Sequence, residues 1–191
     1  MRHTKPKDHR MPSISSAKAA LLALLHQADG FDRSWSITAT GQTEARALFY
    51  FEQRPGAAEA LADAARLLGM AEPGVQRWRA GLPGADAIGL TVNAALSSVR
   101  LYLQYWDRQV ERVAQGALGE FPLYRGIKAL PDGSLREDGY LCTPLAPRDR
   151  FWPQMAAALT RFGAEAAALE QAFAPLTAET CIHTRTEAPG R

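Results

Sequence analysis

Three segments of this chain share one pattern: a run of apolar positions at helical spacing, two short stretches in which apolar and polar residues alternate, and then another helix. The second alternating stretch of each segment carries a tyrosine among apolar neighbours. These are residues 47–51 with Tyr50, 99–103 with Tyr102 and 138–142 with Tyr140. A repeated α-β-β unit predicts a sheet that grows hairpin by hairpin with its helices on one side.

The first helix is expected after the cap candidates Ser13, Ser15 and Ser16, with Ile14, Leu21, Leu22 and Leu25 as its apolar positions and Gly30 past its end. Strands are predicted over 34–40 and 46–53 around a Gly41-Gln42 turn. Pro55 opens a helix that buries Leu61, Ala64, Leu67 and Leu68. A short helical piece between Pro73 and Gly81 holds Val75 and Trp78, and Trp78 reads as a packing residue. The second hairpin pairs 86–93 with 99–106, and Asp107 then caps a helix with Val110, Val113, Ala114 and Leu118 inward. The third pairs 123–130 with 135–143 around Pro131-Asp132-Gly133. A long helix starts at Asp149 and carries Phe151, Met155, Leu159, Phe162, Leu169 and Phe173, and 179–186 reads as a further strand or a loose tail.

The fold class is therefore α+β: repeated α-β-β units forming an antiparallel sheet of about six strands with helices on one face, either a partial barrel or one completed by a second copy. Residues 13–176 read as a single α+β domain, 1–12 as a disordered basic tail and 177–191 as a C-terminal strand or tail, with Met11 an alternative start to Met1.

Alternation also sorts side chains by face. Phe49 and Phe51 lie on one side, and Leu48, Tyr50 and Glu52 on the other; Leu101 and Leu103 oppose Arg100, Tyr102, Gln104 and Trp106. In the third hairpin Tyr124, Gly126 and Lys128 face together, as do Asp138, Tyr140 and Cys142. Three readings of the polar, tyrosine-bearing face stay open: the lining of a small-molecule cavity, a homodimer interface, or plain surface. A few charged groups among aromatics is the makeup of a small-molecule site.

Composition narrows the functional classes. A chain of 191 residues with 47% hydrophobic content supports one core. The net charge is +2, and Arg2, Lys5, Lys7 and Arg10 fall in the first ten positions, so the body is near neutral and nucleic acid is not an expected partner. Cys142 and Cys181 lie in different segments without a CxxC spacing, which fits a reduced cytoplasmic setting. The apolar run 19–25 after a basic stretch is short for a signal peptide, and no stretch approaches the roughly 20 apolar residues of a membrane span. His3, His9, His26 and His183 lie outside the three hairpins, and no nucleophile elbow, phosphate loop or dinucleotide glycine pattern is present. Neither a metal nor a cofactor is expected.

With its α-β-β repeats and Arg100-x-Tyr102 on a strand, the chain resembles in architecture the ABBA-type aromatic prenyltransferases, over roughly residues 13–176. The resemblance implies transfer of a prenyl group from a prenyl diphosphate to a small aromatic or hydrophobic molecule. Arg100 and Lys128 would neutralise the diphosphate. Tyr102 and Tyr140, with Tyr50, would present their rings to a carbocation. Glu52 would be the catalytic base. Three hairpins fall short of the five of that barrel. The alternative expectation is a non-catalytic protein that uses its aromatic face for a ligand or, as an accessory or immunity-type protein, for a protein partner.

Overall fold

A computed structural model of the chain describes residues 14–37, 43–130, 132–160 and 178–187, with 168, 171, 174 and 175 between the last two segments. The expected N-terminal tail, the Gly41-Gln42 turn, Pro131 and the helical positions Phe162, Leu169 and Phe173 lie outside these residues.

The alternating stretches pair in the order they occur. Seven strands, β1 (Gly30–Ile37), β2 (Thr43–Glu52), β3 (Ala87–Asn93), β4 (Val99–Gln104), β5 (Phe121–Ala129), β6 (Leu135–Pro147) and β7 (Ala178–Glu187), form one antiparallel meander in sequence order. The sheet curls into an open half-barrel with β1 and β7 at its edges. Among the described residues five α-helices accompany it: α1 (Ile14–Gln27), α2 (Ala57–Leu67), α3 (Glu72–Arg79), α4 (Trp106–Ala114) and α5 (Arg148–Thr160). The class is α+β with a partial barrel, and the seventh strand comes from the segment that sequence left as strand or tail.

The register places side chains in rows across the sheet. One row runs Thr91, Arg100, Lys128 and Arg136 from β3 to β6. The next runs Tyr50, Gly89, Tyr102, Gly126 and Asp138 from β2 to β6, and a third runs Glu52, Ala87, Gln104, Tyr124 and Tyr140. Tyr50, Tyr102 and Tyr140 therefore share a face. A register shift between Pro122 and Tyr124 leaves Leu123 as the extra, wholly buried residue of a bulge.

The opposite face is apolar and is covered by α1, α2 and α3. Phe49, Phe51, Ile88, Leu90, Leu101, Leu103 and Ile127 pack in one core with Leu24 of α1, Leu61 of α2, and Val75 and Trp78 of α3. Burial of each such side chain contributes about 1.5–3 kcal/mol. The two faces thus divide the labour, one holding the fold together and the other carrying charge.

Several local expectations are corrected. β1 begins at Gly30 and not at 34, because all eight of its residues pair with β2; this tertiary pairing overrides the reading of Gly30 as a helix exit. α1 starts at Ile14, so Ser15 and Ser16 lie inside it. Pro55 precedes α2, whose first turn follows Gly56 in the left-handed region (φ 84°). β4 ends at Gln104, so Trp106 opens α4 and leaves the strand face assigned to it. Asp107 does not cap α4; its N–H donates to Asp86 Oδ2 at 2.8 Å, so the acceptor comes from the turn before β3. Val110, Leu118 and Leu67 are exposed, and α4 buries Gln109 instead.

Candidate functional site

Polar residues on the sheet face opposite α1, α2 and α3 converge where β4, β5 and β6 run side by side. Arg100 and Tyr102 stand two apart on β4, so they point the same way. Adjacent strands are about 4.8 Å apart, which puts β6 roughly 10 Å from β4. Arg100 nevertheless reaches across β5: Nη2 donates to Asp138 Oδ2 at 2.5 Å, and Nη1 donates to the hydroxyls of Tyr140 at 2.5 Å and Tyr102 at 2.9 Å. Arg136 Nη2 donates to the same Oδ2 at 3.1 Å. The Tyr102 and Tyr140 hydroxyls are 3.2 Å apart.

Gly126 makes this reach feasible. It lies between Tyr102 and Asp138 in their row, and a Cβ there would stand 2.8 Å from Cδ of Arg100 and 3.1 Å from Cε1 of Tyr102. A glycine inside a strand marks a close approach, and here two side chains from β4 cross over it. Ordinarily Gly→Ala in a strand interior gains roughly 0.5–1 kcal/mol. Gly126→Ala is expected to lose about 1 kcal/mol instead, because overpacking costs of about 1–3 kcal/mol outweigh that gain. The urea midpoint reads the sign, and a variant more stable than the parent would refute the crossing.

The tyrosines stack in sequence. The rings of Tyr102 and Tyr140 are 5.8 Å apart and tilted, those of Tyr140 and Tyr124 are 6.1 Å apart and edge-on, and the guanidinium of Arg100 lies 5.6 Å from the Tyr102 centroid. Burial, followed by the neighbouring Tyr102, pushes the Tyr140 phenol well above its usual value, so Tyr140 stays protonated at physiological pH. It is a hydrogen-bond group and not a base.

Beside this cluster, toward the β3–β4 hairpin, lies a cleft of ≈ 30 Å³ lined by Glu44, Arg46, Asn93, Arg100, Tyr102 and Lys128 among others. A single water requires about 10–15 Å³, so the cleft has room for a small group. The buried side chain of Asn93 shapes its wall. Its Oδ1 accepts the N–H groups of Ser97 and Ser98 at 2.9 and 3.0 Å, and its Nδ2 donates to Glu44 Oε1 at 2.8 Å. The Asn93 bond, followed by the Arg46 guanidinium, holds the Glu44 carboxyl below the usual range, so Glu44 is charged and committed to Arg46. Lys128 differs from the arginines. It has no hydrogen bond or ion pair among the described residues, and burial, then Arg100, Arg136 and Arg46, pull its ammonium down.

Of the residues picked from sequence, Arg100, Tyr102 and Lys128 line this cleft, and Tyr140 touches it through Arg100 and Tyr102. Tyr50 lies in the row of Tyr102, separated from it by Gly89, and is outside the cleft lining. Glu52 is exposed and also outside it, and its backbone N–H is held by Asp29. Sequence reasoning counted Asp138 among the charged groups of this face without giving it a role, and did not pick out Arg136, Arg46, Glu44 or Asn93. Glu44 lay before the predicted start of its strand.

No group of histidine, cysteine, aspartate and glutamate among the described residues is arranged to hold a metal ion, and no helix among them is long and apolar enough to cross a membrane. No protein-family model matches the chain, and no curated protein matches it in sequence.

Proposed function

We propose that this chain binds a small molecule through an anionic group seated on the polar sheet face between Arg46, Arg100 and Lys128. The charge balance of the cleft carries this reading. Among the described residues its lining holds Arg46, Arg100 and Lys128 against Glu44, and Lys128 forms no ion pair with Glu44 or with the nearby Asp138. Three cations against one carboxylate leave an excess of two positive charges in a partly desolvated cleft, the adjacent Arg136 and Asp138 balancing each other, and the mutual repulsion of the cations is relieved by an anion.

Prenyl diphosphates are the ligand class that the sequence resemblance implies. Their phosphoryl oxygens suit the guanidinium and ammonium donors, and the tyrosine rings beside the cleft offer a surface to an apolar tail. Transfer of the prenyl group would also require a base near the acceptor, the role Glu52 was assigned, and Glu52 lies outside the cleft lining. Binding is therefore the core of the proposal, and prenyl transfer its more specific form.

Thermal unfolding of the full chain with dimethylallyl diphosphate, geranyl diphosphate, inorganic diphosphate and geraniol tests the proposal. At about 100 times Kd a ligand adds roughly 2.7 kcal/mol. For a chain of this size that is an upward shift of about 5–10 °C. The diphosphates are expected to shift Tm and geraniol is not. Absence of any shift at millimolar diphosphate, or an equal shift in the R100A/K128A double variant, would sink the reading.

A further inference from the structure

Past Lys18, every strongly basic residue of this chain is an arginine except one, Lys128. An arginine cannot lose its proton in a protein, whereas a lysine can and then becomes a nucleophile. This single lysine is placed in a row of cations, with Arg100 opposite it on β4 and Arg136 opposite it on β6, and its side chain lines the cleft.

Its surroundings are unlike those of a lysine recruited for an ion pair. The charged and titratable groups facing it are Arg100 and Tyr102 from β4, Arg136 and Asp138 from β6, and Arg46 and Glu44 from β2; β3 contributes the neutral Thr91 and Asn93. Both carboxylates are already bonded to arginines. Arg100 and Arg46 stand toward one side of the amine and Arg136 on the other, and with only Glu44 opposing them the arrangement shifts Lys128 toward the neutral, reactive form.

We propose that Lys128 is a nucleophilic amine whose Nζ condenses with an aldehyde or ketone that itself carries an anionic group, the neighbouring guanidinium groups holding that anion. The proposal rests on the anionic-ligand reading above and adds a covalent step to it. The nitrogen lone pair attacks the carbonyl carbon, and one of the two amine protons passes to the carbonyl oxygen to give a carbinolamine. The C–O bond then breaks and the hydroxyl leaves as water with the one remaining amine proton, forming an imine. The net change is one amine and one carbonyl compound converted to one imine and one water. Burial and the adjacent arginines lower the proton affinity of Lys128 and so raise the share of the neutral amine that the first step requires.

The test uses the full chain and two probes, pyridoxal 5'-phosphate and pyridoxal, each trapped with sodium borohydride, which delivers hydride to the imine carbon and leaves a stable secondary amine. Mapping is simple because the chain has four lysines, Lys5, Lys7, Lys18 and Lys128. Concentration of the anion at the cleft is expected to favour Lys128 over the exposed Lys18 by about tenfold or more with the phosphorylated probe. That preference is expected to fall with pyridoxal, and inorganic diphosphate is expected to protect Lys128. Labelling spread evenly over the four lysines, or confined to the other three, overturns the amine. A Tm shift with diphosphate but no trapping at Lys128 means that this inference fails and the binding reading stands. Preferential trapping at Lys128 by both probes alike, with no diphosphate shift or protection, keeps the nucleophile and overturns the anion site.

Discussion

Replacing Asp138 with alanine is expected to lower the unfolding free energy by about 3–5 kcal/mol, the range for removing one partner of a buried ion pair. The Asp138 side chain is 2% exposed and that of Arg100 is 12% exposed, so deleting the carboxylate leaves a guanidinium largely out of water with no anion beside it. Arg136 is 37% exposed, and solvent screens its share. Most of the cost is therefore assigned to Arg100. Both arginines bond to Oδ2, and the buried Oδ1 has no hydrogen-bond partner among the described residues, so the pair lacks the bidentate geometry that makes such bridges strongest. It follows that removing the whole cluster should be far milder than breaking it. An R100M/R136M/D138L variant is expected to match or exceed the parent in stability, and to lose the diphosphate-dependent shift in Tm. Urea titration of both variants decides the matter: D138A within about 0.5 kcal/mol of the parent, the range of an ordinary surface substitution, would show that Asp138 is not the counter-ion described above.

This cluster also marks the boundary of what could be read from sequence. A strand has a side-chain period of two, so local alternation was enough to place Arg100 with Tyr102 and Asp138 with Tyr140 on one face. The meander itself was legible for the same reason, since each hairpin was bracketed by turn residues or a helix. The contact from Arg100 to Asp138 was not, because it joins residues 38 apart across an intervening strand. Its one local trace is Gly126, a strand glycine opposite both Tyr102 and Asp138, which is informative only once the register is known. Glu44 was obscured for a related reason. β2 runs three residues earlier than its apolar pattern suggested, and pairing with β1 extends it. The cap of α4 shows the same effect from the other side: Asp107 had the right chemistry at the right place, but Asp86, 21 residues away, supplies the acceptor.

Trp78 links the helix-covered face to the opposite one, and Trp78→Ala is expected to cost about 3–5 kcal/mol, the range for deleting a buried indole. The side chain is fully buried among Leu61, Val75, Leu101 and Leu103, and its Nε1 donates to the Tyr102 carbonyl at 2.9 Å. Helix α3 is thereby tied to the backbone of β4 at the residue whose side chain lies on the other face of the sheet with Arg100. Two components of the loss can be separated. Trp78→Phe keeps most of the apolar volume but withdraws the donor, and a hydrogen bond of this kind contributes about 0.5–1.5 kcal/mol. The phenylalanine variant is therefore expected to lose clearly less than the alanine variant. At roughly 2–4 °C per kcal/mol for a domain of this size, Trp78→Ala should lower Tm by about 6–20 °C. Because β4 would lose its anchor from below, the remaining folded protein is also expected to bind diphosphate more weakly, although Trp78 is not itself one of the residues lining the cleft. A Trp78→Ala protein with unchanged Tm would contradict the central place given to this residue in the core. Lowered stability with undiminished diphosphate binding would show instead that β4 keeps its position from its neighbours β3 and β5 alone.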